Sequence, residues 1–134
     1  MIVVDTNVIA YTVLASERSR LAELALVNDP DWAAPLLWRS EMRNVLAHYL
    51  RTGRLEFNEC LRVMDKASSL VAGREFVVQT GKILDLVASS TCSAYDCEFV
   101  ALAQDLGVPL VTVDRQILND FPADAIALME FAQK

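Results

Sequence analysis

Two short runs rich in β-branched residues each stop on an aspartate. Ile2-Val3-Val4 precedes Asp5, and Val108 to Val113, entered through Pro109, precedes Asp114. Runs of this length read as buried strands. Between them the pattern turns repeatedly to helical spacing. Residues 17–28 carry Leu21, Leu24, Ala25 and Val27, and Asn28-Asp29-Pro30-Asp31 follows as a turn. A second apolar run, Ala33 to Leu37, is interrupted by Pro35; Trp38, Met42, Val45, Leu46, Tyr49 and Leu50 then form one helical stripe that ends near Gly53. Further helices are expected over 57–71, with Phe57, Leu61, Met64 and Leu70 among the apolar positions, over 80–89, and over 94–106, the last stopped by Gly107. Short strands are expected at 76–78 and near 126–129. Strands alternating with helices specify an α/β fold, a three-layer sandwich around a mostly parallel sheet. The 134 residues suffice for one domain with one core.

Composition excludes several classes. Apolar residues make up 54% of the chain, which rules out a disordered tail or a low-complexity linker. Twelve Lys+Arg against 18 Asp+Glu leave a net charge of −6. A protein that holds nucleic acid by bulk positive charge alone would not look like this. Cys60, Cys92 and Cys97 are odd in number and lack C-x-x-C spacing, so reduced thiols and a cytoplasmic location are expected. With His48 the only histidine, a zinc site has no ligand set. No secretory signal, no membrane-spanning stretch and no glycine-rich phosphate loop is recognisable.

Four acids stand where acids are costly. Asp5 and Asp114 end strands, and in open α/β sheets ligands bind beyond the carboxyl ends of the strands. The two share one rim if their strands are neighbours. Asp96 has Phe99, Val100 and Ala103 at helical spacing and points along an apolar face, whereas Glu98 and Asp105 take the outer face. Glu41 borders the stripe of Trp38 and Val45. Like charges about 4 Å apart repel by roughly 4 kcal/mol at an effective dielectric near 20. Gathered carboxylates must therefore protonate or hold a cation. All-oxygen ligands suit Mg²⁺ or Mn²⁺, and such ions favour phosphate chemistry. Taken singly, each acid has a plainer reading: Asp5 and Asp114 as helix N-caps, Asp96 as an early-turn acid on the helix dipole.

The same residues fall into an ordered set of motifs. Val3-Val4-Asp5-Thr6-Asn7 resembles the opening of a PIN domain. Ser40-Glu41 with Asn44-Val45-Leu46 resembles its second motif, Tyr95-Asp96-Cys97-Glu98-Phe99-Val100-Ala101-Leu102-Ala103 its third, and Leu110-Val111-Thr112-Val113-Asp114 with Leu118 and Phe121 its fourth. Each motif is weak alone; the ordered set spans nearly the whole chain. Within that family the chain is most similar to the VapC-type toxins of toxin–antitoxin pairs. The resemblance implies a metal-dependent endoribonuclease, with Asp5, Glu41, Asp96 and Asp114 as an acidic tetrad for Mg²⁺ or Mn²⁺. Thr6, Asn7 and Thr112 would support it by hydrogen bonds. It also implies in-line attack of an activated water on RNA, leaving a 5′-phosphate, and a cytoplasmic homodimer whose antitoxin partner covers the site with a C-terminal segment. Cys97 stands where many relatives carry alanine, a change between two small apolar side chains.

Residues 39–82 hold eight of the twelve cationic side chains. Arg39 and Arg43, with Arg51 and Arg54 further off, are candidates to guide RNA phosphates; pairing with Glu56, Glu59 or Asp65 is the plainer use of them. His48 reads as structural, and Trp32 and Trp38 as core with a dimer contact as the alternative. Competing functions are a PIN-like scaffold without catalysis and a receiver-like Mg²⁺-binding signalling domain. The receiver reading needs adjacent acids after the first strand and a lysine after the last major one, but Thr6-Asn7 follow Asp5 and Arg115 follows Asp114. A haloacid-dehalogenase-type phosphatase needs a second aspartate where Asn7 stands.

Overall fold

Every strand anticipated from an apolar run forms, and each is short. The computed structural model describes residues 1–134. In chain order the elements are β1 (Ile2–Val4), α1 (Thr6–Val13), α2 (Ser19–Asn28), β2 (Trp32–Pro35), α3 (Leu37–Arg51), α4 (Phe57–Leu70), β3 (Glu75–Phe76), α5 (Thr80–Ala88), α6 (Ala94–Leu106), β4 (Leu110–Thr112), α7 (Arg115–Asp120), β5 (Ala125–Ala127) and α8 (Leu128–Ala132). Gly107 ends α6 as expected. It takes the left-handed conformation, φ 67°, and its N–H reaches back to the Ala103 and Gln104 carbonyls.

The five strands pair in the order β3-β2-β1-β4-β5, and all four pairings are parallel. β1 lies at the centre, with Val3 opposite Leu110 and Val4 opposite Val111 of β4. From β1 the chain steps outward through β2 to β3, then crosses back to β4 on the other side. The boundary between β1 and β4 is therefore the topological switch point, where a crevice opens at the carboxyl edge of the sheet. This order also differs from the flavodoxin-like 2-1-3-4-5 of receiver domains, which removes that alternative on structural grounds.

Right-handed crossovers put the helices between β1 and β3 on one face and those between β3 and β4 on the other. Packing agrees: α1 touches α2, α3 and α4, and α2 touches α8, while α5 packs on α6. α6 spans β1, β2 and β4. Six of its thirteen residues are buried, nearly all round the helix, as befits a helix enclosed by its neighbours. Trp32 and Trp38 are fully buried, in keeping with a core role, and the three cysteines are free and buried. No helix is long and apolar enough to cross a membrane.

Some element boundaries differ from the sequence reading. The strand expected at 76–78 pairs only through Glu75 and Phe76, and Val77 turns outward at 82% exposure. The strand expected near 126–129 ends at Ala127, because α8 begins at Leu128. α1, entered from Asp5, is rich in β-branched residues and carries no helical stripe as clear as that of α3.

Candidate active site

Asp5 continues β1 into the ladder, its backbone N–H donating to the Val111 carbonyl at 3.1 Å. It occupies the N-cap position of α1, yet its side chain makes no cap bond. Instead Asp5 Oδ2 accepts the Thr112 hydroxyl at 2.7 Å. The same Thr112 Oγ1 accepts the Asp114 N–H at 3.0 Å. Asp114 does cap its helix, with Oδ1 accepting the N–H groups of Gln116 at 2.9 Å and Ile117 at 3.1 Å. The plainer reading thus holds for one oxygen of Asp114 and fails for Asp5. At α6 the cap is Ser93, whose Oγ accepts the Asp96 N–H at 3.2 Å, so Asp96 is the third residue of the helix, within its first turn. Glu41, in the second turn of α3, accepts the buried Thr6 hydroxyl at 2.7 Å.

All four acids open into one cleft of about 530 Å³, lined also by Thr6, Asn7, Leu37, Ser40, Asn44, Val45 and Tyr95. Burial holds the Asp5, Glu41 and Asp96 carboxyls above their ordinary values, and the hydrogen bonds from Thr112, Thr6 and Ser93 only partly offset it. The acids also raise one another: Asp96 and Asp114 act on Asp5, Asp5 and Asp96 on Glu41, and Asp114 on Asp96. No basic side chain pairs with any of them; the ion pairs of the chain are Met1–Asp29, Arg39–Glu75 and Lys82–Asp105. The cleft is an uncompensated cluster of negative charge.

The donors are all oxygen, as Mg²⁺ or Mn²⁺ requires. No three acidic, Cys or His side chains are gathered closely enough to ligate one ion directly. Mg²⁺ does not need that, because it retains several waters and binds through one or two carboxylates. The donor set and its electrostatic frustration therefore fit a hydrated divalent ion.

Residues 2–122 match the family described as the PIN domain. The chain belongs to the PIN-domain family. It is 29% identical to Ribonuclease VapC3 of Pyrobaculum aerophilum over 125 residues, 91% of this chain and 95% of that one. Its fold is similar to the crystal structure of PAE2754 from Pyrobaculum aerophilum, with TM-score 0.73, 20% identity, and 99% and 97% of the two chains covered. FitAcB from Neisseria gonorrhoeae has TM-score 0.69 and 21% identity, with 95% and 96% covered.

The arginines of this PIN domain fall differently from expectation. Arg39 is taken by Glu75, whose Oε1 and Oε2 accept its Nε at 2.6 Å and Nη2 at 2.9 Å, and it lies over the Trp38 ring. Its partner is thus none of the acids expected. Arg43 is exposed and forms no ion pair. On α3 the cleft is lined by Leu37, Ser40, Glu41, Asn44 and Val45, the i, i+3, i+4, i+7, i+8 stripe of one helix face. Continued, that spacing leads to His48 and Arg51, not to Arg39 or Arg43.

One further correction concerns α6. Asp105 does face outward, to Lys82 of α5. Glu98 does not: it is half-buried, its carboxyl is raised by burial and lowered by the Leu37 N–H at the start of α3, and its charge acts on Glu41. Ser40, Asn44 and Tyr95, motif residues to which the resemblance gave no role, also line the cleft. The first two were findable, since they share Glu41's helical stripe.

Proposed function

We propose that this PIN domain is a divalent-metal-dependent endoribonuclease, the toxin of a toxin–antitoxin pair. One observation carries the reading: four carboxylates without a basic partner line a single cleft at the β1/β4 switch point. Similarity to a relative named Ribonuclease VapC3 supports it. The reaction is in-line attack of water on an RNA phosphodiester, leaving a 5′-phosphate. Asp5, Glu41, Asp96 and Asp114 would hold Mg²⁺ or Mn²⁺, which supplies an activated water and neutralises phosphate charge.

The chain's own groups divide the remaining work. Thr112 orients Asp5 and ties it to the Asp114 backbone, and Thr6 fixes Glu41. The bare acid cluster repels a phosphate, so RNA enters only as its charge is neutralised. Asn7 and Asn44 line the path of the substrate. Arg43 and Arg51 are exposed and outside every ion pair, and so are free to meet RNA phosphates; Arg39 is already engaged. The protein acts as a homodimer, held in check by an antitoxin whose C-terminal segment covers the cleft. Its three free, buried thiols suit a reducing, cytoplasmic setting.

The test is incubation of purified protein with labelled RNAs, with and without Mg²⁺ or Mn²⁺, beside Asp5→Asn and Asp96→Asn. Metal-dependent cleavage that both variants lose is expected. Equal cleavage by wild type and both variants defeats the proposed site.

A further inference from the structure

We propose that Tyr95 is the platform of a nucleobase subsite at the mouth of the carboxylate cleft, taking an unpaired ribonucleotide by stacking. The proposal rests on the nuclease reading above, because the base it receives belongs to RNA whose phosphate lies over the acids.

The three tyrosines of the chain are treated differently by the fold. Tyr11 is covered by the Arg18 guanidinium, 5.7 Å from its ring centroid, and Tyr49 by that of Arg54 at 4.3 Å. Tyr95 has no aromatic or cationic neighbour on its ring, and it stands 66% exposed. It is the second residue of α6, immediately before Asp96, and it lines the cleft. The helix therefore holds a bare aromatic ring beside one of the proposed metal ligands.

The groups around it complete a base-sized site. Hydrogen bonds within the cleft run among Thr6, Glu41, Thr112, Asp5 and Asp114, and leave the Tyr95 hydroxyl and the side-chain amides of Asn7 and Asn44 without partners in the chain. Each amide offers two N–H donors and a carbonyl acceptor, the complement of a base edge. Unpaired bases present both a face to stack and a Watson–Crick edge to read, whereas bases within an A-form helix are stacked and paired and offer a side chain neither of these. The subsite thus selects single-stranded segments.

The experiment uses an oligoribonucleotide carrying 2-aminopurine at each position in turn, bound to the full chain with Asp5→Asn so that RNA is not consumed. Quenching at one position is expected. Adding Tyr95→Ala abolishes it and weakens binding roughly 5- to 160-fold, the range for loss of one base–aromatic stack; Tyr95→Phe, which keeps the ring, restores both. Quenching and affinity that survive Tyr95→Ala overturn the subsite, as does the absence of any RNA binding. Turnover is read separately on the Asp5 background with unmodified RNA. No cleavage alongside Tyr95-dependent quenching removes the nuclease reading and leaves the subsite. Cleavage by Tyr95→Ala with kcat/KM as in wild type removes the subsite and leaves the nuclease.

Discussion

Thr112 Oγ1 donates to Asp5 Oδ2 at 2.7 Å and at the same time accepts the Asp114 N–H at 3.0 Å, so one fully buried hydroxyl fixes acids at the ends of two adjacent strands. Thr112→Val keeps the shape and removes both bonds. Left without its donor, Asp5 is held still further above the ordinary carboxylate range, and its orientation loosens. Losing a partner of this kind weakens metal binding by about 10- to 100-fold. Titration of Mn²⁺ followed by calorimetry checks this; Thr112→Ser, which keeps the hydroxyl, should bind near the wild-type level.

The acid cluster makes a signed pH prediction. Asp5, Glu41 and Asp96 all have carboxyls raised chiefly by burial and further by one another. A raised folded-state value means that protonation stabilises the fold; that contribution is complete below the unfolded values of about 4 and is lost as pH climbs through the raised ones. Asp96→Asn removes one ionising member. In EDTA the variant should therefore melt above wild type, by a margin that grows from pH 5 to pH 7.5. With Mg²⁺ present the order reverses, since the wild type alone gains the full binding free energy. A margin in EDTA that is flat or shrinks with pH would contradict the account.

The sites where sequence and structure agree share a physical cause. Asp5 and Asp114 were legible because a strand end is a fixed place in a parallel sheet, and Asp96 because the first turn of a strongly periodic helix is easy to locate. Glu98 departs from the wheel because the wheel sees only the helix's own residues: α6 keeps a wet face at Ala94 and Tyr95, but β1, β2 and β4 lie beneath it and the head of α3 meets it at Glu98. The partner of Arg39 was out of reach for another reason. Glu75 lies 36 residues away on a strand of two residues, and nothing local announces that contact. α1 was legible only through Asp5, since its Val8, Ile9 and Val13 favour strand as readily as helix.

Glu75 is a latch between the edge strand and the helix that carries Glu41. It accepts from Trp38 Nε1 at 2.6 Å as well as from Arg39, two residues ahead of Glu41. Its carboxyl is held below the ordinary value, first by the Arg39 bond. That contribution is present above the unfolded value near pH 4.5 and is lost as pH falls through the folded one. Glu75→Ala leaves the buried Trp38 N–H unpaired and should cost about 1–3 kcal/mol at pH 7, as is usual for bonds to a charged group. A chain of this size then melts roughly 4 °C lower per kcal/mol. Chemical denaturation at pH 7 and at pH 3.5 tests the assignment: the deficit of Glu75→Ala should narrow at the lower pH.

The arginines separate structural from electrostatic roles. Arg39 is committed to Glu75 and Trp38, so Arg39→Ala should lower stability and leave the salt dependence of RNA binding nearly as it was. Arg51 continues the cleft-lining stripe of α3 two turns beyond Asn44, about 10 Å along the axis, which is within reach of a phosphate flanking the one over the acids. Arg51→Ala should reduce the slope of log K against log salt by somewhat under one unit, the value for a single phosphate contact on single-stranded nucleic acid. Arg43, exposed but off the stripe, should contribute less. Binding isotherms across a salt series for the three variants decide the matter; a slope changed by Arg39→Ala and unchanged by Arg51→Ala would reverse the assignment.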